Sequence, residues 1–343
     1  MTPRSRRRFD ESDVRVRPNP RGSRPRTKER PRHEHAVPAR VLTVDRGRYT
    51  TLVGEGTLDE RVVVAMKARE LGRAGIVVGD RVDLVGDVSG TEHTLARVVR
   101  VRPRTTVLRR TADDTDPVER VIVANADQLV IVTAVADPEP RHRMVDRCLV
   151  AAYDAGISPL LCLTKADLAD PDDFLEAYSE LDLTVLVTRR RPDGTIEGLD
   201  DVAEHLRGQD SVLVGHSGVG KSTLVNALVP EAARATGTVN AVTGRGRHTS
   251  SSAVALRLPD ASGWVTDTPG VRSFGLAHVD PQHLLHAFSD LEPGSAGCPR
   301  GCSHDEPDCA LDEWVSSGRA GPHGAARLES LRRLLRSRTG TED

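Results

Sequence analysis

Aromatic side chains are nearly missing from this chain, at 3% of its 343 residues. Its cores must therefore rest on Val, Leu, Ala and Ile. Long apolar runs are missing too. No stretch approaches the roughly 18 residues needed to cross a bilayer, and no secretory leader is visible. A cytoplasmic protein with no membrane partner is the expectation. Cysteine is sparse at five residues, and their spacing makes no disulfide framework. Cys148 and Cys162 sit in apolar segments and read as small core residues; the other three gather near one histidine, which suits a reducing compartment. No internal repeat is visible. Nor does either sign of charge dominate, since the formal net charge is −2.

That balance hides an asymmetry. Residues 1–32 are crowded with arginine ("PRSRRR", "RGSRPRTKERPR") and hold almost no apolar residues. Such a segment cannot bury a core and is expected to be disordered. Asp10, Glu11, Asp13 and Glu29 argue against a mitochondrial transit peptide. A polyanion-binding arm and a solubilising tail both remain open.

From about Ala39 to Arg102 short alternating segments ("ARVLTVDRGRYTTLV", "RVVVAMKAR", "GDRVDLVG", "HTLARVVRV") are punctuated by Gly and Asp. They predict a small all-β barrel. Its only aromatic is Tyr49, so contact with RNA there would rest on backbone electrostatics rather than base stacking. After Val121 continuous apolar strands ("DQLVIVTAV", "SPLLCL", "TVLVT", "SVLVG", "GWVTD") alternate with amphipathic helices ("HRMVDRCLVAAYDAG", "DDFLEAYSEL", "GLDDVAEHL"). That texture predicts a parallel sheet covered on both faces. Beyond Phe274 the chain reads as mostly helical, ending in "GAARLESLRRLLRS".

Three motifs carry chemistry. "GHSGVGKST" (Gly215, His216, Ser217, Gly218, Val219, Gly220, Lys221, Ser222, Thr223) fits G-x-x-x-x-G-K-[ST] between a strand and the helix "KSTLVNALV". Its glycines let successive N–H groups point at phosphates near a positive helix end. Lys221 should reach the β- and γ-phosphates, and Ser222 should ligate Mg²⁺. "DTPG" follows a strand; Asp267 would hold Mg²⁺ through water, and the Gly270 N–H would sense a γ-phosphate. "TKAD" (Thr164, Lys165, Ala166, Asp167) ends another strand. The Asp167 carboxylate can accept from guanine N1–H and the exocyclic amine, whereas adenine would leave it unpaired. Lys165 would lay its stem along the base. Thr164 stands where Asn is usual, and "LVTRRRPDG" stands where a base-supporting loop belongs but lacks the usual Ser-Ala-Lys. In an ordinary GTPase the phosphate loop comes first. Here "TKAD" precedes it, so the order is that of a circularly permuted GTPase sheet, which closely spaced domain termini permit.

With "ANADQLVIV", "GRGRHTSS" and "DTPGVRSFGL" added, the chain resembles the ribosome small-subunit-dependent GTPase A family from about Ala39 to its C-terminus. The resemblance implies a multidomain α/β protein. Residues 1–35 would be the disordered arm, 36–110 an OB-fold barrel, 111–275 a circularly permuted P-loop GTPase domain and 276–343 a helical zinc-binding domain. It also implies GTP hydrolysis coupled to late maturation of the small ribosomal subunit, with rRNA held by the barrel and zinc domains, by a monomer. An RNA-binding assembly module that binds GTP but barely hydrolyses it is the alternative. In "GRGRHTSS", Thr249 is the candidate switch ligand to Mg²⁺, with Ser250 next. Val271 follows DTPG and cannot orient water, which leaves His248 for that task or for a phosphate or RNA contact.

"CPRGCSHDEPDC" offers Cys298, Cys302, His304 and Cys309. Three thiolates and one imidazole make a closed tetrahedral zinc set of the structural kind. The family spacing is C-x4-C-x-H-x5-C; here both longer gaps are one residue shorter, and the ligand count is unchanged.

Overall fold

The computed structural model describes residues 33–72, 75–110, 120–230, 253–269, 276, 279 and 281–339. The chain divides into two units, Met1–Glu34 and His35–Asp343, and every element below belongs to the second.

Five strands close the barrel: β1 (Val37–Asp45), β2 (Arg48–Val53), β3 (Arg61–Lys67), β4 (Arg81–Gly86) and β5 (Ala96–Val101). They pair in the order β1-β2-β3-β5-β4, and β4 returns to β1. β3 runs parallel to β5, and the other neighbours are antiparallel. This is the five-stranded closure of an OB-type barrel. Alternation puts Val41, Val63, Ala65, Val82, Leu84 and Val98 inside, with Tyr49 the one aromatic among them.

A ribbon of β6 (Val107–Arg110) and β7 (Arg120–Ala124) leads into the second sheet. That sheet runs β10 (Thr184–Val187), β9 (Ser158–Thr164), β8 (Gln128–Ala134), β13 (Asp210–Val214), β15 (Trp264–Asp267), β14 (Val254–Arg257). A separate two-stranded ribbon, β11 (Arg189–Arg190) and β12 (Ile196–Glu197), follows β10. β8, β9, β10, β13 and β15 are parallel, as their unbroken apolar runs require. β14 runs antiparallel to β15, a departure from the all-parallel expectation. β14 also pairs with barrel strand β1, so barrel and second sheet form one continuous 11-stranded sheet.

Helices cover both faces. α1 (His142–Ala155) stops at Gly156, whose φ of 64° is the left-handed cap expected of glycine. α2 (Asp172–Glu176) is shorter than the "DDFLEAYSEL" pattern, because residues 177–181 continue as turns. α3 (Leu199–Leu206) and α4 (Lys221–Leu228) bury Val202, Leu206, Leu224 and Leu228 against one face. The other face receives α1 together with α5 (Pro281–Leu285), α6 (Ala310–Ser316) and α7 (Gly324–Thr339). The C-terminal helices thus share the core of the second sheet. Two charged contacts fasten them there: Arg147 Nη1 donates to the Ser337 carbonyl at 2.6 Å, and Arg333 pairs with Asp146 at 3.3 Å.

Candidate nucleotide site and metal centre

In a parallel sheet the carboxyl ends of all strands share one edge, where ligands gather. The three motifs leave from that edge: Thr164 ends β9, Val214 ends β13 and Asp267 ends β15. β13, which feeds the phosphate loop, lies between β8 and β15. Strands far apart in sequence thereby bring their terminal residues together.

The loop from Gly215 to Gly220 opens α4. Gly215 must be glycine, because a Cβ there would run into the carbonyl oxygen of Val132. Gly220, with φ 93°, sets the turn into the helix. Lys165, His216, Ser217, Gly218, Gly220, Lys221, Ser222 and Thr223 surround one polar cleft. A second, more apolar cleft of about 270 Å³ includes Thr164, Asp167, Leu168, Thr188 and Ile196. The two share Lys165, Gly220 and Thr223, so a polar cleft and a more apolar one adjoin along these residues.

Side chains tie the motifs to each other. The Thr164 hydroxyl donates to the carbonyl of Val219 in the phosphate loop. The short side chain at this position therefore bridges to the loop. The Thr268 hydroxyl donates to the Leu213 carbonyl at 2.7 Å, binding the residue that follows β15 to β13. The buried Lys221 ammonium donates to the Asp267 carboxylate and to the Thr268 carbonyl. The Lys165 ammonium donates to the Asp137 carbonyl.

Around Asp167 the structure supplies what sequence reading missed. The Ala166 N–H donates to the Thr188 carbonyl at 3.2 Å. The Arg190 N–H, on the β11–β12 ribbon, donates to Asp167 Oδ1 at 2.9 Å. That bond orients the carboxylate and holds it below the usual carboxylate range. "LVTRRRPDG" thus becomes a ribbon that braces Asp167. The signal available in sequence was its turn residues, Pro192, Asp193 and Gly194, between two short polar segments. His248, Thr249, Gly270, Ser250 and Val271 lie outside the described residues.

Cys298, Cys302, His304 and Cys309 bring their ligand atoms within 4.8 Å of one another. Cys298 Sγ lies 3.8 Å from Cys309 Sγ, and His304 Nδ1 lies 3.6 and 3.8 Å from those sulfurs. A tetrahedral ion with metal–sulfur bonds of about 2.3 Å needs ligand separations of about 3.8 Å, so the set fits such an ion. Burial pushes the Cys302 thiol up to about 12 and lowers the His304 pKa. His304 is 1% exposed. Its Nδ1 faces the sulfurs and its Nε2 faces the Gln282 amide at 3.5 Å. Arg332 clamps the knuckle to α7, donating to the His304 carbonyl at 3.0 Å and pairing with Asp312 at 2.7 Å.

Comparison with known proteins places this architecture. The RsgA GTPase family pattern matches residues 101–277. The chain is 36% identical over 307 residues to the small ribosomal subunit biogenesis GTPase RsgA of Chlorobaculum parvum, covering 87% of this chain and 96% of that one. It is 38% identical over 271 residues to the protein of that name from Pseudomonas syringae pv. tomato, covering 76% and 75%. Among solved structures, YjeQ from Thermotoga maritima superposes with a TM-score of 0.62 at 25% identity, covering 90% of this chain and 100% of that one. YloQ, described as a circularly permuted GTPase, superposes with a TM-score of 0.60 at 23% identity, covering 92% and 99%; at that identity the likeness speaks to the fold. A family pattern spanning residues 101–277 and a relative 36% identical over 87% of the chain agree with the sheet order and the site described above: the chain belongs to the RsgA GTPase family.

Proposed function

We propose that this chain is a Mg²⁺-dependent GTPase that serves late maturation of the small ribosomal subunit. The observation that carries the reading is the cleft beside a braced Asp167 adjoining the cleft of the phosphate loop. Guanine offers Asp167 two donors, and the apolar cleft beside it suits a flat base. A triphosphate would then lie against the N–H groups of residues 215–220 and the Lys221 ammonium. Ser222 and Asp267 are the hard oxygen donors that Mg²⁺ takes, one beside Lys221 in sequence and the other in contact with it. The ion would neutralise charge on the phosphate oxygens. Thr249 is assigned to Mg²⁺ when the γ-phosphate is present, the Gly270 N–H to the γ-phosphate itself, and His248 to the attacking water.

The relatives' names, small ribosomal subunit biogenesis GTPase, support the partner. We assign rRNA contact to the barrel and to the cysteine–histidine region, a structural zinc ion to Cys298, Cys302, His304 and Cys309, and a cytoplasmic, monomeric state to the chain. No helix among the described residues is long and apolar enough to cross a membrane. The test is GTP turnover with and without purified small subunits, on wild type and His248→Ala. Slow turnover that the subunit accelerates, and that His248→Ala abolishes without loss of analogue binding, is the expected result. Turnover indifferent to the subunit would overturn the ribosomal role. Tight binding without turnover in either condition would favour the assembly module.

A further inference from the structure

The seam between barrel and second sheet is built around Trp264, the first residue of β15. The Arg40 guanidinium, from barrel strand β1, lies 4.6 Å above its ring, and that of Arg257, from β14, lies 5.7 Å away. The indole N–H donates to Glu55 of the barrel at 2.7 Å. Glu55 also pairs with Arg40 and Arg81. Arg40 is 3% exposed and reaches Asp210, at the start of β13, at 2.8 Å. Arg257 donates to both carboxylate oxygens of Glu60, on the barrel, at 2.6 and 2.7 Å. Leu52, Val78, Ala255 and Trp264 form a small separate core beneath. Two guanidinium groups within cation–π reach of one indole, tied by these ion pairs, hold the seam more firmly than exposed ion pairs alone do.

The same strand pair meets the barrel again at its other end. Thr43 of β1 pairs with Val254 of β14, and Val254 pairs with Asp267 of β15. One lateral row therefore joins the barrel to the residue that holds Lys221, across two strand spacings of about 10 Å in all. At the near end Arg257 pairs with Trp264 in the same ladder. The β14–β15 unit is thus fixed to the barrel at both ends, with Asp267 at one end and the Arg40–Trp264 stack at the other.

From this geometry we infer that Arg40 and Trp264 are positioning residues, through which the barrel's hold on its RNA partner is coupled to the occupant of the nucleotide cleft. The inference rests on the proposed function. Motion of Asp267 when nucleotide replaces its contact with Lys221 is passed along β15 and across Val254 to β1, and the stack keeps the barrel from yielding independently. Coupling of this kind is reciprocal, so the partner must alter nucleotide affinity by the same factor.

The test uses the full chain, purified small subunits, GDP and a non-hydrolysable GTP analogue. Subunit affinity is measured with each nucleotide, and nucleotide affinity with and without subunits. Wild type should show a nucleotide-dependent ratio of subunit affinities. Trp264→Leu and Arg40→Met should move that ratio toward one by about fivefold or more, while nucleotide affinity without subunits stays as in wild type. Trp264→Phe, which keeps a ring beneath Arg40, should retain most of the ratio. Glu60→Gln, at a partly exposed rim, gives a folded variant should the buried ones fail, and should shift the ratio in the same direction. Unchanged ratios in variants that melt lower would mean that the seam only stabilises, and would overturn the inference. A wild-type ratio of one would overturn it as well. A wild type that binds no guanine nucleotide would instead remove the proposed function.

Discussion

The hydroxyl of Thr164 donates to the carbonyl of Val219, so the turn that carries Asp167 is bonded to the phosphate loop by one side chain. The two segments are 55 residues apart. Their relative position sets the distance between a base and its phosphates.

Thr164→Val keeps the shape and removes the donor, leaving a buried carbonyl short of a partner. Such losses run to about 1–3 kcal/mol. GDP affinity should fall roughly tenfold, with guanine preference kept. Titration with a fluescent guanine nucleotide checks this; wild-type affinity would show that backbone contacts alone hold the two segments together.

Asp167→Asn replaces an acceptor with an amide. GTP affinity should fall about 100-fold or more, with partial recovery for xanthosine triphosphate, whose ring presents an acceptor to the new donor. Equal affinity of variant and wild type for GTP would take Asp167 out of base recognition.

Lys221 and Asp267 compete with ligands for each other. The ammonium donates to the carboxylate, and phosphates must take it over. Asp267→Asn should therefore raise GDP affinity in the absence of Mg²⁺ by about fivefold, worth about 1 kcal/mol. With Mg²⁺ present the same variant should bind more weakly than wild type. Calorimetry in chelator and in Mg²⁺ distinguishes the two; a loss in both conditions would show that Asp267 supports the loop rather than restrains Lys221.

The knuckle should carry about one zinc per chain, measured on protein purified without added metal. His304→Ala should weaken zinc by at least about 100-fold, and Gln282→Leu by about tenfold through the outer ring nitrogen. Near-zero metal with a normally folded C-terminal region would contradict the assignment.

Much of this was legible because the motifs sit at strand ends with strong local patterns. "TKAD", "GHSGVGKST" and "DTPG" each follow an apolar run, and the parallel sheet aligns those ends. The knuckle was legible from its ligand types alone. β14 was not: it is four residues long, only Ala255 in it is buried, and its partners β1 and β15 come from separate parts of the chain. The stack of Arg40 and Arg257 on Trp264 was invisible for the same reason, since an arginine in a strand pattern reads as solvent-facing until a distant ring is known to lie beneath it. Arg190 escaped because its contribution to Asp167 is a backbone N–H, which no side-chain pattern encodes.

The pairing of β1 with β14 has a further consequence, for solubility. A strand at the rim of a sheet presents unpaired N–H and C=O groups that can recruit another chain. The closed barrel lies against β14 and shields that rim. A fragment beginning after the barrel would keep every nucleotide-facing residue described here, yet it would display an uncovered strand beside Ala255 and Trp264, which pack against Leu52 of the barrel. Such a fragment would be prone to self-association, so the barrel guards the GTPase sheet against aggregation.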